Sequence, residues 1–260
     1  MEVVALIYNN YPTFFFIFIR TAAILMASPL FWAKGIPQIV KTGLAFIIAL
    51  VLLPIVKPVV LPSSLIAWAP AILSEVMIGA AIGFAARIVT AGIELAGQMV
   101  GFQMGFGIVN IIDPHSNNQV SIIASLKGLL GILVFFVINA HHYFISAIAT
   151  SLSIVPPFGA SMSGGVTEAV VSLSSGIFVT ALKLAAPVMF ALLFANIAMG
   201  IVARTVPQIN IFMMGFPVTI GIGLLVLGVS MPVLVVFMQR MMSGLERDIY
   251  TILKSVASGQ

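Results

Sequence analysis

Cysteine is absent from the 260 residues, which excludes both a disulfide framework and a thiolate metal site. Charge is scarce as well. Asp, Glu, Lys and Arg together make up 7% of the chain, whereas soluble domains carry about 25%. A water-facing surface cannot be built from so few charges, so most of the outer face must meet lipid or other subunits. The basic residues are scattered, without the patch or stripe that a nucleic acid would need. No glycine-rich phosphate loop, nucleophile motif or metal-ligand set occurs, so no enzyme activity and no cofactor is assigned. His141 and His142 do not change this: adjacent helical residues point about 100° apart, and interfacial histidines at a helix end explain them better than a metal. A basic start and a small-residue cleavage site are lacking ahead of the first apolar run, so that run is expected to be retained rather than cleaved.

What the chain has in abundance is apolar sequence, 61% of residues. A bilayer-spanning helix needs about 20 such residues, and the pattern predicts an all-α membrane protein of about six long helices in a single membrane-associated unit. Expected helices run over Thr13–Trp32, Val40–Val56 and Ala67 to Gly97 or beyond. Others run over Val120–Ile138, Thr167–Arg204 and Ile211 to near Met242, with a shorter apolar run over Phe144–Val155. The third and fifth are too long for plain spans and carry Glu75, Arg87, Glu94 and Lys183. Small residues recur in the third, and Gly79 and Gly83 have the small-xxx-small spacing that lets backbones approach; Gly97 and Gly101 repeat it. Topology resists assignment by the positive-inside rule: placing the Lys34/Lys41 and Arg204 turns inside strands Arg240, Arg247 and Lys254 outside. The turns Ile36-Pro37-Gln38-Ile39 and Val206-Pro207-Gln208-Ile209 echo each other and suggest two similar hairpins.

The organising stretch is Ala91–Gln119, an apolar helix that loosens into glycines and methionines and ends in a polar turn, Asp113–Asn118. Two readings of Gly101, Gly105, Gly107 and their apolar neighbours stand side by side. One is a re-entrant connector, tolerated at membrane depth when buried in protein or lining a cavity. The other is a movable plug, in which glycine permits rearrangement and apolar side chains exclude water. Charges at bilayer depth face protein or water. Arg87 and Glu94, two helical turns apart, therefore pair with neighbouring subunits, sit on a helix that lies partly outside the lipid, or line an ion pathway.

The segments Ile36–Leu44, Glu75–Phe84, Ala96–Pro114, Asn139–Pro156, Leu182–Gly200 and Arg204–Gly223, in this order and spacing, resemble flagellar biosynthetic protein R, the FliR/SpaR family of type III export components. The resemblance covers nearly the whole chain, although the polar run after Pro114 has no residue-by-residue match. It implies a P-subunit-like part over 1–160 and a Q-subunit-like hairpin and tail over 161–260, wound into a helical, cone-shaped hetero-oligomeric pore. It implies a plug at about 105–118, on Gly105, Phe106, Gly107, Ile108, Val109, Asn110, Ile111, Ile112, Asp113 and Pro114. The hairpin tip at Arg204, Pro207, Gln208 and Asn210 would face an FlhB-type switch protein. Implied partners are P-type and Q-type gate subunits, an FlhA-type export protein, membrane lipid and the unfolded proteins exported across the bacterial inner membrane at the flagellar basal body. An injectisome homologue of the same subunit is the near alternative. A secondary transporter of a small solute is the alternative from another class, although it would need matched broken helices around a midplane site. A pure assembly scaffold is a third.

Overall fold

A computed structural model describes residues 7–8, 10–28, 36–58, 68–108, 121–157, 165–208 and 210–257. The described residues are helical, without strands. We number the helices α1 (Tyr11–Ala27), α2 (Gln38–Leu52), α3 (Trp68–Gln103), α4 (Ile122–Val137), α5 (Ala140–Ile154), α6 (Gly165–Thr205), α7 (Ile211–Val229) and α8 (Met231–Ala257), with a 3₁₀ turn at Phe106–Ile108 after α3. Two of them, α3 and the Ser174–Thr205 part of α6, are long and apolar enough to cross a membrane, and up to four spans arise if each of two bent pairs counts as one. At 1.5 Å per residue the 36 residues of α3 extend about 54 Å, well beyond a hydrocarbon core of about 30 Å.

The sixth expected helix is two helices. It breaks at Ser230 with a 51° bend between Met213–Val229 and Met231–Gly244. Pro232, just inside α8, has no N–H to continue the ladder, and the Ser230 hydroxyl donates back to the Leu227 carbonyl at 2.9 Å. The two echoing turns also differ. Pro37 directly caps α2, whereas α7 is capped three residues beyond Pro207 by Asn210, whose side chain accepts from the Met213 N–H at 3.3 Å.

By contacts the chain forms two compact units that interleave along the sequence: Met1–Ile88 with Asn139–Ser174 and Met241–Gln260, and Val89–Ile138 with Ser175–Arg240. The first unit is organised around α1. Its Phe14 and Phe18 rings pack edge-on against Phe46 of α2, 5.1 and 6.3 Å between centroids. Phe16 meets Trp68 of α3 at 5.9 Å. Phe16, Ile17 and Ile24 are fully buried, with Ala45, Ala49, Ile82 and Ile148.

On α3 the face toward α1 carries Glu75, Gly79 and Gly83, four residues apart. A Cβ on Gly79 would stand 2.6 Å from the Ala23 Cβ, and one on Gly83 would stand 2.6 Å from the Ile24 carbonyl oxygen. The two helices therefore run parallel with their backbones nearly touching, at a distance only glycine allows. That closeness brings Glu75 to Arg20, both fully buried. Arg20 Nε and Nη2 donate to the two Glu75 oxygens at 2.5 and 2.9 Å. Its Nη1 donates to the carbonyls of Ser151 and Val155 at 2.8 and 2.7 Å. These lie at the end of α5, which favours a cation, and the Ser151 carbonyl also accepts from the Val155 N–H at 3.0 Å.

Candidate gate site

The second unit holds the C-terminal half of α3, which ends at the expected plug. Here α3 is pinned from two sides. Gly92 lies against α6, where a Cβ would meet the Thr180 Cβ at 2.8 Å. Against α4 the contacts run antiparallel. Gly131 of α4 sits over Ile93, Gly97 over the backbone of Ala124, and Gly101 over Ser121. Ser121 is also the N-cap of α4 and accepts from the Ala124 N–H. Glycines from both helices thus build the seam.

Beyond Gln103 the chain reverses. Gly105 has φ +96°, a conformation that side-chain-bearing residues avoid. A Cβ there would also stand 2.7 Å from the Phe216 ring of α7. The residue before it is the anchor. Met104 is fully buried. The Thr219 hydroxyl lies 3.1 Å from the Met104 carbonyl and shares its one hydrogen with the Gly215 and Phe216 carbonyls of α7 at 3.0 and 3.2 Å, and the Met104 side chain fills the space that Gly223 leaves empty, 2.7 Å from where a Cβ would be. An unbranched thioether suits so irregular a slot. Next to this anchor lies an open depression of about 250 Å³ lined by Gln103, Met104, Gly105, Asn196, Met199, Gly215, Phe216 and Thr219. The chain then makes the 3₁₀ turn Phe106–Ile108, with Gly107 against the exposed Phe102 ring.

The family model described as "Bacterial export proteins, family 1" matches residues 11–245. The chain belongs to this family. Among curated relatives it is 31% identical over 243 residues to "Flagellar biosynthetic protein FliR" of Bacillus subtilis (strain 168), covering 91% of this chain and 93% of that protein. It is 30% identical over 250 residues to the protein of that name from Pectobacterium carotovorum subsp. carotovorum, covering 95% and 96%. With that of Escherichia coli (strain K12) it shares 28% identity over 247 residues, covering 94% and 92%.

In this FliR-family chain the expected site residues fall in three places. Gly79 and Gly83 lie in the first unit against α1; Gly97 and Gly101 lie in the second against α4. Of the expected plug, Gly105, Phe106, Gly107 and Ile108 are placed as above, while Val109, Asn110, Ile111, Ile112, Asp113 and Pro114 lie outside the described residues. Arg204, Pro207, Gln208 and Asn210 form an exposed turn between α6 and α7. The His141 and His142 rings stand 4.4 Å apart, and among the described residues no group of three metal-ligating side chains occurs.

Sequence reasoning missed two buried polar contacts. One is Arg20–Glu75, two charges within apolar helices 55 residues apart in the chain. The other is Lys127, whose Nζ donates to the Leu184 carbonyl of α6 at 3.1 Å, next to the Lys183 carbonyl that Pro187 leaves without its backbone donor. A basic residue in one apolar helix and a proline in another were the available signals.

Proposed function

We propose that this chain is a non-enzymatic pore subunit of a flagellar type III export gate, through which unfolded proteins cross the bacterial inner membrane. The segment from Gly105 to Pro114 keeps the resting passage shut. The observation that carries this reading is the clamped reversal at Met104–Gly105. A long apolar helix ends in a backbone turn that only glycine adopts freely, bolted to α7 by a buried methionine and one hydroxyl. Such a fixed base followed by an apolar, glycine-containing segment suits a flap with one rigid end. The names of the relatives favour flagellar over injectisome use.

P-type and Q-type gate subunits, an FlhA-type export protein and an FlhB-type switch protein at the exposed Arg204–Asn210 turn complete the proposed assembly. The exposed apolar side chains of α6, among them Phe178, Phe190, Phe194, Ile197 and Ile201, supply surface for lipid or such neighbours. Deleting Gly105–Asn118 is expected to raise ion leakage in cells that assemble the complex. An unchanged leak with intact assembly would remove the plug.

A further inference from the structure

The second unit leaves one polar strip of α3 uncovered. Glu94 and Gln98 are exposed, and Phe102 is 76% exposed one turn further on. These residues follow at four-residue spacing, so they rise along one side of the helix over about 12 Å. The neighbouring sides are closed by α6 at Gly92 and by α4 at Gly97 and Gly101. Facing the strip, α4 presents little side chain. A Cβ on Gly128 would stand 3.8 Å from the Glu94 Cγ, so the carboxylate stem lies across bare backbone, and exposed Ser125 lies one turn away on the same side of α4. Glu94 has no hydrogen-bond or ion-pair partner among the described residues.

Lipid is a poor occupant for this face. A carboxylate on a short stem is expensive in hydrocarbon, and residues of this kind face water-filled space or protein. Lys183, an exposed charge within α6 of the same unit, differs because its long stem can carry the ammonium toward the interface. The strip also ends at the place where the chain reverses, since Phe102 precedes the Met104 anchor by two residues. We infer that Glu94, Gln98 and Ser125 line the water-filled passage and that Glu94 makes the open passage favour cations. Fixed acidic groups on a pore wall act in this way. The inference rests on the pore reading above.

The absence of cysteine makes the test clean, because each introduced thiol is the chain's own single reactive group. In complexes lacking Gly105–Asn118, Glu94→Cys and Gln98→Cys are treated with a membrane-impermeant cationic methanethiosulfonate while the leak current is recorded. Modification at either position should cut the current several-fold, whereas Phe194→Cys, on the exposed apolar side of α6, should leave it unchanged. Separately, Glu94→Gln should lower the cation preference of the leak and Glu94→Lys should turn it toward anions. A leak that persists unaltered after modification at both 94 and 98, with unchanged ion preference in the two Glu94 variants, places the strip outside the passage and overturns the inference while the pore stands. A deletion that never leaks removes the plug and, with it, the open passage on which the inference rests.

Discussion

Arg20 grips Glu75 with two parallel N–H···O contacts of 2.5 and 2.9 Å, and neither side chain has any exposed surface. The remaining guanidinium nitrogen holds the last turn of α5. One arginine therefore ties α1, α3 and α5. Removing one partner leaves a buried charge uncompensated, at a cost of about 3–5 kcal/mol. Arg20→Met and Glu75→Leu should each lower the thermal midpoint of the purified complex and the amount assembled in cells. The double substitution should cost less than the two singles summed, because no charge is then stranded. Simple additivity in that cycle would mean that the two groups do not act as a pair.

Glycine has opposite consequences at two positions of the first unit. Gly83 lies against the α1 backbone, and Gly83→Val should force α1 and α3 apart at a cost of about 1–3 kcal/mol. Gly43 of α2 has open space around it, so Gly43→Ala should be neutral or stabilise by about 0.5–1 kcal/mol. Thermal denaturation of the two variants side by side checks the contrast. Equal effects would contradict the close approach of α1 and α3.

Gly105→Ala should weaken the closed gate. The +96° φ disfavours any side chain by about 1–2 kcal/mol, and the new methyl group would press on the Phe216 ring. A raised leak with normal assembly is the expected outcome. Pairing it with Phe216→Leu, which clears the space without relieving the backbone, should restore only part of the loss.

Thr219→Val removes the hydroxyl that the Met104 carbonyl shares with the Gly215 and Phe216 carbonyls, and keeps the side-chain shape. An unsatisfied buried acceptor costs about 1–3 kcal/mol. The variant should leak more than wild type, and Thr219→Ser should leak less than Thr219→Val. If valine and wild type conduct alike, Met104 is held by packing alone.

Helix positions were largely legible in the residues, because runs of apolar sequence bounded by Pro, Gly and polar turns leave few alternatives. The long α3 and α6 appear close to their expected limits. The break at Ser230 was not legible. An apolar run continues through Val229–Val233, and a single proline near a helix start does not reveal whether the chain bends. A turn at Gly105 was legible, because glycines crowd together there. Its fastening was not: Thr219 lies 115 residues from Met104 and belongs to no motif.

From composition and periodicity alone it follows that this chain is helical, that its outer face is apolar, and that the four-residue glycine pairs of α3 mark where another helix comes close. These properties depend on residue type and on spacing within one helix. Tertiary packing alone decided which charge meets which, and that α3 takes α1 along its first half and α4 along its second. It also decided that Met104, like Met238 of α8, is sealed away while Met213 and Met214 stay exposed. The reason is physical. In a chain of so many similar apolar helices, dozens of pairings satisfy the same hydrophobic pattern. The choice among them comes from close steric fit and a few buried polar contacts between residues far apart in the chain.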